Sequence, residues 1–218
     1  MKLSDLIPIP IPLCSGEVDT KWQEGAILHC RGNKTIRKCL TKWQRRLLEE
    51  NDLPCKTAQA YGTHDAVCCY KDGHKGFGEM SIDARQGIWT PIEEYQADII
   101  HGKVILWYLW PIGATARHGK EAAAAWSQLE GKPYDFSALP RLYIKCVFMD
   151  WQDWPWPFSI VGDWQAGKKF AWYCTESVKE SWEPIFPIYH KTNPTPLTTE
   201  HRAGWNWSKG GLITLRAL

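Results

Sequence analysis

The elements read along the chain predict an α+β fold, in which an antiparallel sheet packs against a helix bearing a candidate nucleophile. Three observations carry that expectation. A strong local turn signal, Asp72-Gly73, separates two strand-like runs. Residues 35–50 and 119–129 have helical patterns on either side of this strand block. Cys174 then opens a further helix directly after the aromatic stretch Trp172-Tyr173.

Taken in order, Ile and Pro alternate over residues 7–13, which predicts an extended N-terminal arm, assigned to residues 1–24. Gly25 to Cys30 is a short strand. From Thr35 to Glu50, Ile36, Cys39, Leu40, Trp43, Leu47 and Leu48 recur at three- and four-residue steps, giving an amphipathic helix with a solvated Lys/Arg face. His64–Tyr70 and Phe77–Ile82 are the arms of the hairpin. The nearly continuous apolar run 103–110 predicts a central strand buried on both faces. Gly119 to Leu129, with four alanines, is a helix ended by Gly131. A Pro- and Trp-rich loop covers Pro140 to about Gly167. The Cys174 helix runs to Trp182 and is stopped by Pro184. The tail from Asn193 is loop, with a short strand at Leu212–Leu215.

A length of 218 residues suits one domain, here residues 25–190, with the tail 191–218 packed on it. A formal charge of +2 gives no electrostatic footprint for nucleic acid. No apolar run approaches the length of a membrane span. The start has no signal-peptide pattern, so a cytoplasmic setting is expected, with a phage virion or release from a host as the alternative. The cysteines form no C-x-x-C pair, so a structural zinc site is not expected; no metal and no cofactor is expected at the site. Tryptophan is the outlier at 14 residues, clustered in Trp151, Trp154 and Trp156 and again in Trp205 and Trp207. Such rings pack cores and loops, or stack on sugars.

Cys174 has the surroundings of a nucleophile, because a helix N-terminus favours thiolate over thiol and the thiolate attacks carbonyl carbon. The bland alternative is a buried structural thiol on the apolar helix face, with Val178 and Trp182 following at four-residue steps. Hairpin parity supplies a base and an orienting group. With Asp72-Gly73 as the turn, paired positions sum to 145, and His64 lies opposite Ser81 with Glu79 as its diagonal neighbour, about 7–8 Å away by backbone. Side chains alternate faces, so His64 and Glu79 share one face and Asp65 points to the other. A carboxylate at Glu79 can hold the imidazole tautomer and stabilise the imidazolium. The remaining histidines, among them His29, His74, His190 and His201, have weaker settings.

Five segments resemble the permuted papain-fold cysteine hydrolases of the NlpC superfamily. They are Gly25-Ala26-Ile27-Leu28, Thr63-His64-Asp65-Ala66-Val67, Phe77-Gly78-Glu79-Met80, Gly131-Lys132-Pro133-Tyr134-Asp135 and Tyr173-Cys174-Thr175-Glu176-Ser177-Val178, in the family's order across about residues 25–185. The resemblance implies a papain-like, circularly permuted fold, with Cys174 as nucleophile, His64 as base, Glu79 as orienting residue and Tyr134 near the oxyanion. Ala26 and Asp65 depart from the pattern, standing where the family has Asp and an apolar residue. The implied activity is cleavage of an amide bond in a peptide or cell-wall peptide through an acyl-enzyme. A peptide, a peptidoglycan fragment or an acylated small molecule would be the substrate. A lipid acyltransferase or thioesterase with the same nucleophile, or a catalytically silent binding or virion structural protein keeping the fold, are the competing readings.

Overall fold

The computed structural model describes residues 13–32, 63–111, 113–136, 171 and 173–186. Along it come α1 (Glu17–Thr20), β1 (Ile27–Gly32), β2 (His64–Lys71), β3 (His74–Ser81), β4 (Gln86–Pro91), α2 (Ile92–Ile100), β5 (Val104–Leu109), α3 (Ala116–Ser127) and α4 (Cys174–Trp182). The five strands make one antiparallel sheet in the order β4-β3-β2-β1-β5. The 35–50 helix, the Trp-rich segment, the tail with its strand, and His190 and His201 lie outside the described residues.

Asp72 and Gly73 both take positive φ, 50° and 80°, the two-residue turn whose twist matches that of the strands. It sets the expected register, from Lys71↔His74 to Val67↔Gly78. There the β2–β3 ladder ends, while β2 stays paired with β1 for three more rungs, to Cys30↔His64. His64 and Glu79 therefore sit on two strand segments that have parted.

The apolar run 103–110 forms a strand, but among the described strands β5 comes at the end of the order and not at its centre. Its residues from Leu106 to Leu109 are nevertheless buried, whereas Ile105 is exposed. Packing from α2 accounts for part of this. So does α1, whose Val18 carbonyl accepts a 2.7 Å hydrogen bond from the Tyr108 hydroxyl. The β5 backbone is covered as well, since the Leu13 amide donates to the Leu106 carbonyl at 2.8 Å. The described part of the expected arm is thus not extended. Residues 13–24 fold back, bury Val18 and Trp22, and bond the Trp22 indole to the Gly76 carbonyl at 3.1 Å.

Helix α3 begins three residues earlier than the alanine run suggested. Thr115 is its N-cap, accepting from the His118 amide, while the His118 ring accepts from the Thr115 amide. This is a capping box with histidine in the place of the usual Glu or Gln. α4 matches its expected bounds and packs against α3, β2 and β3. Its anchor is Trp182, fully buried, edge-on to Trp110 and bonded through its indole N–H to the Gly25 carbonyl at 3.1 Å. Gly25 has φ +84°, and a Cβ there would fall 2.2 Å from the Gly119 Cα. Only glycine lets α3 press this closely on the entry to β1. Among the described residues no helix is long and apolar enough to cross a membrane.

Candidate active site

His64 opens β2, and Glu79 sits near the end of β3. Parting of the strands leaves their side chains free to meet, and the His64 Nε2 lies 2.7 Å from the Glu79 Oε2. The diagonal neighbour expected from hairpin parity is thus in hydrogen-bond contact. Glu79 is held by two further donors. The Thr90 hydroxyl donates to Oε1 at 2.6 Å and the Tyr95 hydroxyl to Oε2 at 2.8 Å. β4 places Ile88 opposite Glu79 and Thr90 two residues on; α2 follows at once and brings Tyr95 over the same carboxylate. Burial works against the charged carboxylate, but the bonds from His64, Thr90 and Tyr95 outweigh it and hold Glu79 below the ordinary glutamate range. An ionised Glu79 fixes the ring. Nε2 carries the proton donated to it, and Nδ1 is the nitrogen left to exchange one.

Cys174 is the first residue of α4 and is buried at 9% exposure. Its N-cap, Tyr173, is extended (φ −105°, ψ 174°) and makes no side-chain capping hydrogen bond. Within the helix, the Ser177 hydroxyl donates to the Cys174 carbonyl at 2.6 Å and the Ser181 hydroxyl to the Ser177 carbonyl at 2.7 Å, which satisfies the polar groups on the buried face. The thiol lies within electrostatic reach of the His64 ring, and its Sγ is 3.8 Å from the Thr175 hydroxyl. Burial disfavours the imidazolium, yet the sulfurs of Cys30 and Cys174 and the Glu79 carboxylate together hold His64 well above the ordinary histidine range. Cys30 reaches the ring because it is the cross-strand partner of His64 on β1.

Tyr134 packs in one cluster with Cys174, Tyr173 and Met80. The strip from Gly131 to Tyr134 places it there by running along β4, bonding Gly87 to Lys132 at 2.8 Å and Tyr134 to Arg85 at 2.9 Å. Burial, reinforced by the charges of Cys174, Asp135 and Glu176, raises the phenol above the ordinary tyrosine range, so it remains a donor at working pH.

The four residues singled out from sequence are therefore brought together, with Glu79 bonded to His64, Cys174 within electrostatic reach of the ring and Tyr134 beside Cys174. Asp65 turns away, as parity required, and pairs with His29 at 2.5 Å. Sequence reasoning missed Thr90, Tyr95 and Cys30. Extending the strand-pairing exercise to residues 86–91 would have put Thr90 beside Glu79; Tyr95, arriving from a helix, left no such signal.

No family model matches the chain, and no curated protein matches it. Among solved structures, that of metalloprotein yiiX from Escherichia coli is similar with a TM-score of 0.45 and 16% identity, over 85% of this chain and 84% of that one. The chemistry of the site therefore rests on its own residues.

Proposed function

We propose that the chain is a thiol-dependent hydrolase that cleaves an amide bond, in a peptide or cell-wall peptide, on a papain-like, circularly permuted NlpC-type fold. The observation that carries this reading is the His64 imidazole bonded to a triply bonded Glu79 carboxylate and within electrostatic reach of the Cys174 thiol at a helix N-terminus. Base and orienting group are then in hydrogen-bond contact with the nucleophile close to the base, the arrangement by which a weak nucleophile is activated.

Before acylation the Cys174 proton rests on His64 Nδ1, and the thiolate attacks the carbonyl carbon. The carbonyl π pair moves to oxygen, where the Cys174 backbone N–H and the Tyr134 phenol can donate to it. Collapse of the tetrahedral intermediate breaks the C–N bond. The imidazolium passes its proton to the leaving amine, and a thioester to Cys174 remains. Water then attacks the thioester, His64 accepts its proton, and the carboxylic acid leaves. Throughout, Glu79 keeps Nε2 protonated and offsets the charge on the ring.

The test is digestion of purified peptidoglycan and a panel of acylated amides by wild type and Cys174→Ala, read by mass spectrometry. Cleaved bonds that disappear in Cys174→Ala support the reading. Identical product patterns from the two proteins, or no cleavage by either, count against it.

A further inference from the structure

Beyond the last β2–β3 rung, the backbone of the β2 tip is held by β1 alone. A second imidazole–carboxylate pair sits at this point. His29 Nδ1 and Asp65 Oδ1 are 2.5 Å apart, both side chains are wholly buried, and the two residues face one another on the rung next to Cys30↔His64. The proposed reaction uses neither. Desolvating two such groups is costly, so a buried pair is weak as a source of stability, and apolar residues of similar size would serve the core as well. What the pair does is local. It joins the residue before Cys30 to the residue after His64, across the strand boundary that β3 has left. Trp107, on the same rung from β5, lays its ring near His29 with centroids 5.7 Å apart and backs the pair from the far strand. Thr63, on the other side of His64, buries a hydroxyl that has no hydrogen-bond partner, so it adds no side-chain tie of its own.

We propose that His29 and Asp65 are positioning residues, a side-chain clamp across β1 and β2 that stands in for the missing β3 rungs and fixes the His64 backbone so that one imidazole meets both Glu79 and Cys174. The inference rests on the proposed roles of His64 and Cys174, and its test separates the two.

The rate of Cys174 alkylation by iodoacetamide is followed by peptide mass spectrometry from pH 6 to 9, beside thermal unfolding. The proteins compared are wild type, His64→Ala, Asp65→Asn, His29→Gln and the exchanged double variant His29→Asp/Asp65→His. His64→Ala slows labelling at pH 6; if it does not, the catalytic reading fails and the clamp with it. Asp65→Asn and His29→Gln, while folded, slow labelling at pH 6 by about tenfold, the penalty of a modestly misplaced group. They approach the wild-type rate at pH 9, where cysteines ionise unaided. The exchanged variant rebuilds the pair and returns the pH 6 rate to within about twofold of wild type. A purely structural pair lowers the unfolding temperature and leaves the pH–rate profile unchanged. That profile in any folded single variant, or an exchanged variant that folds and labels no faster than the singles, overturns the proposal.

Discussion

Replacing Glu79 by Gln removes a charge while leaving the shape of the site intact, because of how the donors divide between its oxygens. Thr90 bonds one oxygen; His64 and Tyr95 share the other. A glutamine amide oriented with its oxygen toward His64 and Tyr95 keeps both bonds. Its NH2 then faces Thr90, whose hydroxyl can rotate and accept. The perturbation is thus a neutral acceptor where a carboxylate stood. Bonds to a charged partner contribute about 1–2 kcal/mol more than neutral ones. The imidazolium of His64 loses that support, a free-energy difference worth about a factor of ten in the imidazolium population. His64 then titrates closer to the ordinary histidine range, and alkylation of Cys174 at pH 6 slows about tenfold, with little change at pH 9. Labelling rates by intact mass and the titration of the His64 ring by NMR read the two halves of this argument. A Glu79→Gln protein whose ring titration and labelling profile both match wild type would refute the orienting role.

Tyr95→Phe deletes one of the three donors to Glu79 and costs about 1–2 kcal/mol in thermal or urea unfolding. It also changes the acid limb. Glu79 sits below its unfolded value, so its contribution is present above about pH 4.5 and lost as pH falls through the folded value. Weakening that depression moves the acid-unfolding midpoint to higher pH, and an unmoved midpoint contradicts the assignment. Gly25→Ala combines positive φ with a Cβ inside van der Waals contact of the Gly119 backbone. It is expected to cost more than about 2 kcal/mol or to prevent folding, measured by denaturant titration, and a loss below about 0.5 kcal/mol would show that α3 can retreat without penalty.

The hairpin was legible because its information is local. Two residues with positive φ impose a register, and the register puts Glu79 within reach of His64. The same reasoning could not see where the β2–β3 ladder stops, since that depends on what packs around the strand ends. β5 misled for a different reason. An all-apolar run reads as a central strand, but here one side is covered by α2 and a returning segment near Leu13, neither of which the run itself encodes. α4 was legible from its periodicity and the proline after it. Its contact with a strand 110 residues earlier was not, and the ordered family resemblance was what joined them. Tyr95 was hidden because a helix, with its own period, delivers it to a strand's carboxylate.

The strip Gly131–Tyr134 was described for bringing Tyr134 to Cys174, but it also occupies the outer border of β4, through Gly87, Gln86 and Arg85. Unpaired strand borders template self-association, and Leu13 covers the opposite border at β5. One stretch of chain thus covers a strand border and sets a phenol beside the Cys174 thiol. Sequence drift that loosens it would be expected to show as aggregation and, under the proposed function, as slower cleavage together, and selection for solubility alone would help to conserve the neighbourhood of the thiol.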